Sequence, residues 1–284
     1  MVYLVTGASG QQGGVVAREL IQRGESVRVF VRDPARAEEL KAMGCEVVVG
    51  DLLDAESIRA ALQGCSGAFL VTTHFEHGPD HETEQGLTFV RVAEEVGLPH
   101  LVYTSVVVAD SSPHVPFFNS KWKVEQAIHA SGLEWTILRP AFFMENFDRD
   151  DYRKPVEQGF MVLPMTKEAH LGMVSVGDIG HAAAEALTHP ERFKGETLTL
   201  SHERPVTEYV KAIADATGRR IFYQQLPDIV AKRLMPVEYV QMFHWLEEAD
   251  TEHSSDLEQK LGFSLTSFED YLAQSNWVRS MSKV

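Results

Sequence analysis

The chain opens on an apolar strand followed at once by three evenly spaced glycines, and that combination constrains everything after it. Val2 to Val5 are apolar throughout, Thr6 to Gly14 are glycine-rich, and Val15 to Ile21 begin an amphipathic helix. The spacing is Gly7-x-x-Gly10-x-x-Gly13. A strand, a glycine turn and a helix in this order can seat a dinucleotide pyrophosphate on the helix N-terminus, where backbone N–H groups and the helix dipole meet the anion. In that reading Gly7 permits the tight turn, Gly10 lets backbone N–H groups approach the phosphates, and Gly13 lets the helix pack closely on the strand. A glycine triplet alone is a weak signal, and its plain alternative is a structural turn. Its place between a strand and a helix, with similar units following, favours the nucleotide.

The alternation continues along the chain. Ser26 to Val31, Glu46 to Val49, Ala68 to Val71, Leu101 to Val108 and Trp135 to Leu138 read as further strands. Between them lie helices over Ala35 to Met43, Ala55 to Leu62 (with Asp54 as N-cap), Glu82 to Val96 and Ser120 to Ala130. Strands alternating with helices predict an α/β fold with a Rossmann doubly wound parallel sheet. Near Asp148 the pattern changes. Short strands (Phe160 to Leu163, Thr197 to Leu200, Ile221 to Tyr223) mix with helices over Asp178 to Leu187 (Asp178 as N-cap), Pro205 to Thr217, Pro236 to Ala249 and Phe268 to Trp277. This predicts a smaller C-terminal α+β lobe over the crevice. The expected division is a dinucleotide-binding domain at 1–150, with a return segment near 171–200, and a substrate-binding lobe at 151–284. Met235 to Leu246 reads as core or as an apolar lid, with core favoured.

Ligands of a doubly wound sheet meet the carboxyl ends of its strands. The second strand ends at the adenosine ribose, where an acidic residue would bind the hydroxyls. Arg32 stands there instead, and a guanidinium suits a 2′-phosphate, which favours NADP(H) over NAD(H). Asp33 follows and starts the next turn. Asp51, ending the third strand, either accepts from the adenine amino group or caps a turn. Thr72-Thr73-His74 ends the fourth strand and lines the crevice. Ser105, inside the fifth strand, is either filler or points at the nicotinamide end. His74, His77 and His81 raise the question of a metal. Zinc wants at least three imidazoles held in one rigid frame, whereas here only His77 and His81 can share a helical face, so no metal is expected.

Composition contributes exclusions. With 26 Lys+Arg against 41 Asp+Glu the net charge is −15, a field that repels phosphate backbones, and no basic stripe opposes it. Nucleic acid is not an expected partner. No apolar run approaches the ~20 residues that span a bilayer. The chain starts directly on a strand, and Cys45 and Cys65 are its only cysteines, so a cytoplasmic location away from membranes is expected.

Thr6-Gly7-Ala8-Ser9-Gly10-Gln11-Gln12-Gly13, Val31-Arg32-Asp33-Pro34, Gly50-Asp51, Thr104-Ser105 and Leu138-Arg139-Pro140-Ala141-Phe142-Phe143 together resemble the NmrA-like atypical short-chain dehydrogenases. The resemblance runs over nearly the whole chain. It implies an NADP(H)-binding Rossmann domain with a small C-terminal lobe. Members include reductases of quinones, of azo and triphenylmethane dyes, of benzylic ethers and of isoflavones, and catalytically silent redox-sensing regulators. Residue by residue, it implies that Gly7, Ala8, Ser9, Gly10, Gln11 and Gln12 hold the pyrophosphate and that Arg32, with Arg36, holds the 2′-phosphate. Asp51 and Leu52 would flank adenine, and Thr72, Thr73 and His74 would line the ribose and nicotinamide path. Lys121 matches the lysine beside the nicotinamide ribose, and Phe142, Phe143 and Asn146 would close over the ring.

One departure bears on the chemistry. Short-chain dehydrogenases of the usual kind carry Tyr-x-x-x-Lys, with the phenol as general acid and the lysine lowering its pKa. Here Phe117 stands four residues before Lys121, and Asn119 four before Lys123. A phenyl ring cannot donate a proton. The expectation is therefore an NADPH-dependent reductase whose acceptor, a quinone or an azo or triphenylmethane dye, spreads incoming charge over its own π system. Lys121 would be the catalytic cation, and Phe117, Phe118, Phe142, Phe143 and Trp245 the walls of an aromatic pocket. The alternative is a silent NADP(H)-binding redox sensor that signals to a protein partner, with Lys121 only a ribose anchor. An epimerase or dehydratase is disfavoured because it too uses the absent tyrosine. The expected ligand is a small aromatic or conjugated molecule, and a homodimer is compatible with the sequence.

Overall fold

The computed structural model describes residues 1–281. Its strands, in chain order, are β1 (Val2–Thr6), β2 (Ser26–Val31), β3 (Glu46–Val49), β4 (Gly67–Leu70), β5 (Leu101–Thr104), β6 (Trp135–Pro140), β7 (Phe142–Phe143), β8 (Phe160–Leu163), β9 (His170–Val174), β10 (Glu196–Leu200), β11 (His202–Pro205) and β12 (Phe222–Gln225). The central sheet has the order β10-β6-β5-β4-β1-β2-β3. Pairings from β3 through β6 are parallel, with Val5 opposite Val29 on one side and Phe69 on the other. From β1 the chain winds out to β2 and β3, then returns to lay β4 on the other flank of β1. The strand order thus reverses between β1 and β4, which is where a doubly wound sheet opens its crevice. β10, at the end of the 171–200 stretch expected to return to the first domain, adds a seventh strand beside β6.

The central strands are apolar because helices cover both sheet faces. Every residue of β4 and β5 is buried. The helices that follow these strands are α1 (Gln11–Gln22), α2 (Glu38–Ala42), α3 (Ala55–Leu62), α4 (Gly78–Glu95) and α5 (Pro116–Ala130). Against one face, Leu4, Ile58, Leu70, Phe89, Tyr103 and Ile137 form a continuous core. Asp54 caps α3 by accepting from the Glu56 N–H at 3.0 Å, as its position predicted. Both α4 and α5 begin four residues earlier than the sequence reading placed them. In each a proline (Pro79, Pro116) occupies the first turn, where its missing N–H costs nothing. β5 ends at Thr104 rather than Val108, since Val108 turns left-handed (φ 50°) ahead of a short turn of 3₁₀ helix.

By packing, the chain divides into two compact units. The first comprises Met1–Arg139, Val176–Leu198 and Gln259–Gly262; the second comprises Pro140–Ser175, Thr199–Glu258 and the chain from Phe263. Within the first unit, helix α6 (Asp150–Glu157) has no part, whereas α7 (Val176–Thr188) packs on α1. Asp178 lies inside the first turn of α7, not at its N-cap. The second unit holds the small sheet β11-β9-β7 and the pair β12-β8. Its core includes Phe147, Met161, Tyr209, Phe243 and Phe268. Val240, Met242, Phe243 and Leu246 are buried, so the apolar stretch near Met235 is mainly core. The expected terminal helix is broken at Ser275 into Phe268–Gln274 and Asn276–Met281. Among the described residues, no helix is long and apolar enough to cross a membrane.

His100, at the start of β5, is 2% exposed, and its Nε2 lies 3.1 Å from Thr136 Oγ1. Burial pulls its pKa down to about 4. Between about pH 6.5 and 4 the unfolded chain takes up this proton and the folded one does not, so stability falls as pH falls through that window. The contribution reaches about 3 kcal/mol by pH 4. Urea unfolding from pH 7 to 4.5 is expected to show a shallower pH slope for His100→Gln than for the parent chain. Equal slopes would remove His100 from the account.

Candidate functional site

The glycine turn is shaped by close backbone approach. Gly7 has φ +59°, and a Cβ on it would meet Val71 Cγ1 at 2.4 Å. The Gly10 N–H donates to the Gly7 carbonyl at 2.9 Å, and α1 starts directly after Gly10 with no side-chain cap. Its first N–H groups are therefore left facing outward for an anion. At Gly13 a Cβ would lie 2.4 Å from the Thr6 carbonyl oxygen and 2.5 Å from that of Gly7. This is the close helix–strand approach the spacing predicted. Ala8 is buried, while Ser9 and Gln11 are exposed. Two threonines tie the turn to neighbouring strands. Thr6 Oγ1 accepts from the Val71 N–H at 2.9 Å, and Thr104 Oγ1 donates to Gln12 Oε1 at 2.7 Å. The second tie fixes the Gln12 side chain against β5, which nothing in its local sequence signals.

At the end of β2, the Arg32 guanidinium forks onto Glu76, with Nη1–Oε2 and Nη2–Oε1 both at 2.6 Å. Both side chains are about half exposed. Arg36 lies exposed on the following 3₁₀ turn, which Asp33 caps by accepting from the Ala35 N–H at 3.0 Å. One carboxylate oxygen of Asp51 accepts from the Leu53 N–H at 2.9 Å, so Asp51 does cap its turn. Leu52 packs on the core beside it.

At the ends of β4 and β5 the structure reveals the group that sequence reasoning missed. Lys121 Nζ lies 2.9 Å from Glu82 Oε1, and it also donates to the Thr72 carbonyl and hydroxyl at 3.3 Å. The Glu82 side chain is fully buried and that of Lys121 is 13% exposed. Ser120 Oγ donates to Glu82 Oε2 at 2.5 Å, and Thr72 Oγ1 to Oε1 at 3.3 Å. Burial pushes the Glu82 carboxyl up, but the Lys121 ammonium and the hydrogen bonds from Ser120 and Lys121 outweigh it. The carboxyl stays below its ordinary range and ionised. Tyr103 lies beneath this group, with its hydroxyl 3.5 Å from Thr72 Oγ1 and its ring 5.7 Å from Lys121 Nζ; burial raises its pKa well above the usual value. Its hydroxyl therefore stays protonated at neutral pH.

His74 Nδ1 sits 3.8 Å from Glu82 Oε2, and its ring stacks on Phe117 at 4.7 Å with planes 16° apart. Burial lowers the His74 pKa despite the pull of Glu82, so the imidazole is neutral at pH 7. Phe117 is buried and meets Phe118 edge-on. Thr73 is half-buried, with its N–H 3.4 Å from Gln85 Oε1. Ser105 follows β5 rather than lying within it; it is 3% exposed, its N–H donates to the Leu138 carbonyl at 2.7 Å, and its buried Oγ has no protein hydrogen-bond partner.

Phe142, Phe143 and Asn146 belong to the second unit. The two phenylalanines form β7, and Phe142 packs near Phe147, Tyr152 and Phe243. Asn146 lies on the 3₁₀ turn Met144–Asp148, and Trp245 is on the helix Val237–Leu246. His77 and His81 meet at 4.7 Å, at the start of α4. A different trio, His202, Glu252 and His253, brings its donor atoms within 4.8 Å of one another. Hydrogen bonds account for that approach. His253 Nδ1 contacts the Ser201 carbonyl, and Glu252 accepts from the N–H groups of Glu203 and His253 at 2.8 and 3.1 Å. Cys45 and Cys65 are free and buried, and burial raises both thiols, which keeps them protonated at neutral pH.

Comparison with known proteins agrees with this architecture. The NmrA-like family model matches residues 2–277. The NAD(P)H azoreductase of Xenophilus azovorans is 30% identical over 82% of this chain and 79% of its own length. Quinone oxidoreductase 2 of Escherichia coli is 24% identical over 79% of this chain and 77% of its own. The structure of the Citrobacter sp. triphenylmethane reductase complexed with NADP(H) superposes with a TM-score of 0.85, covering 96% of this chain and 99% of that one at 24% identity, a likeness of fold. With a match that spans nearly its whole length, and with the strand order and glycine turn described above, this chain belongs to the NmrA-like family.

Proposed function

We propose that the chain is an NAD(P)H-dependent oxidoreductase that takes NADP(H) in preference to NAD(H) and reduces a conjugated acceptor of the quinone, azo or triphenylmethane dye class. Its relatives with those names support the class of acceptor. The residues fit the cofactor on structural grounds. The uncapped start of α1 suits the pyrophosphate, Arg32 suits the 2′-phosphate, and the buried Ser105 Oγ offers a hydrogen bond at the nicotinamide end.

One observation carries the choice of acceptor. The position of the usual phenol is Phe117, stacked on a neutral His74 beside the Lys121–Glu82 pair. When bound, the nicotinamide supplies a hydride. Phe117 and His74, stacked on each other, make an apolar wall beside the Lys121–Glu82 pair. Thr72 and Glu82 fix the Lys121 ammonium, which stabilises negative charge as it develops on the acceptor. An acceptor that delocalises this charge needs no phenolic acid, and solvent completes the protonation once the product leaves.

The test is NADPH oxidation by the purified chain with a panel of quinones, azo dyes and triphenylmethane dyes, with NADH as control. Turnover with NADPH, slower with NADH, is expected. Lys121→Ala should lose about 10²-fold in kcat while still binding NADPH, the usual scale for removing one electrostatic stabiliser. Saturable NADPH binding without turnover of any acceptor would overturn the reductase reading. An undiminished kcat in Lys121→Ala would remove Lys121 from the chemistry.

A further inference from the structure

We infer that Glu76 is an internal stand-in for the cofactor's 2′-phosphate, and that its competition for Arg32 sets how strongly the chain discriminates NADPH from NADH. The inference rests on the reading of Arg32 as the 2′-phosphate site. Both terminal nitrogens of the guanidinium are engaged by both oxygens of one carboxylate, each at 2.6 Å. That two-pronged grip is the one a guanidinium offers to a phosphate. A phosphate arriving at the same prongs must displace Glu76. The Arg32 guanidinium, more than any other group, holds the Glu76 carboxyl below its ordinary range, so the competitor is charged at neutral pH.

The pair spans 44 residues of sequence and joins the end of β2 to the segment between β4 and α4. Its two side chains are about half exposed, so the contact is one that an incoming anion can open. Asp51 adds a second nearby negative charge, which favours Arg32 as a cation. NADH carries hydroxyls at the ribose and gains little from opening the pair. NADPH gains the phosphate contact but first loses the carboxylate contact. The exchange also happens on the segment that carries Thr72, bonded to Lys121, and His74, stacked on Phe117.

The inference predicts an unusual sign: removing an acidic residue that does not touch the reacting atoms sharpens cofactor choice. An exposed ion pair of this kind leaves the guanidinium free for about a fifth to a half of the time, so its removal tightens NADPH about two- to fivefold. Calorimetric titration of the whole chain with NADPH and with NADH, for parent, Glu76→Gln, Arg32→Ala and the double variant, tests it. The ratio of NADPH to NADH affinity should rise about two- to fivefold in Glu76→Gln. It should collapse in Arg32→Ala, and the double variant should match Arg32→Ala, because Glu76 acts only through Arg32.

If Glu76→Gln leaves the ratio unchanged or lowers it while Arg32→Ala still abolishes it, Arg32 keeps its role and the inference about Glu76 fails. If Arg32→Ala itself leaves the ratio unchanged, the 2′-phosphate reading fails and takes the inference with it. If Glu76→Gln raises the ratio equally in the Arg32→Ala background, the carboxylate acts as a diffuse charge, and the stand-in is refuted.

Discussion

Glu82→Ala is expected to destabilise the chain by about 3–5 kcal/mol, the usual cost of breaking a buried ion pair from one side. The Glu82 carboxylate is fully buried and holds Lys121, Ser120 and Thr72 at once. Without it, an ammonium only 13% exposed has no counter-charge at contact distance on that oxygen, and the Ser120 hydroxyl loses its acceptor. Glu82→Gln keeps an acceptor for Ser120 and should fall between the two. The informative partner is Glu82→Leu with Lys121→Met. Replacing a buried pair by apolar residues is often neutral or stabilising, so the double variant should regain most of the lost stability and still not turn over. Guanidinium unfolding combined with NADPH oxidation measures both quantities. Should Glu82→Ala cost less than ~1 kcal/mol, the level of a solvated surface pair, Glu82 would not be the anchor of Lys121.

Gly13→Val is expected to abolish cofactor binding and to destabilise by about 3 kcal/mol or more, the upper end of overpacking costs. Its Cβ would enter two backbone carbonyls at 2.4 and 2.5 Å, and neither Thr6 nor Gly7 can retreat without opening β1. The three glycines of the turn should therefore rank unequally. Gly7→Ala meets only the movable Val71 side chain but must hold φ +59°, so it should be milder than Gly13→Val. Gly10→Ala meets its nearest atom at 3.3 Å and should fold well, with its loss confined to cofactor affinity. Thermal unfolding and NADPH titration of the three variants check the order. A Gly13→Val chain as stable as Gly10→Ala would contradict the packing described here.

The contrast between these two experiments shows what could be read from the residues beforehand. Gly13 was legible because its partner carbonyls lie a few residues upstream, and backbone geometry makes the constraint local. The alternation of strands and helices was legible for the same reason, as each strand–helix unit carries its own periodicity. Glu82 was not, because it lies 39 positions before Lys121 on what reads as an ordinary acidic helix start. Only the packing of α4 on α5 brings it to Lys121 and Ser120. The Arg32–Glu76 fork was hidden in the same way. Helix starts at Gly78 and Pro116 were missed because no side-chain cap marks either one; the prolines were the available signal.

The first compact unit is not continuous in the chain, and this affects how it can be made. A ribosome delivers β1 to β6 first, yet α7, which covers α1, follows a long intervening stretch that belongs to the other unit. The fit there is close: a Cβ at Gly180 would lie 2.3 Å from Val15 Cγ1. Until residue 188 has emerged α1 lacks its cover from α7, and until residue 200 the nascent sheet lacks the strand beside β6. The first unit is therefore completed only after much of the second half has been synthesised. An incomplete unit of this kind exposes apolar surface, the kind of surface that makes folding intermediates prone to aggregate.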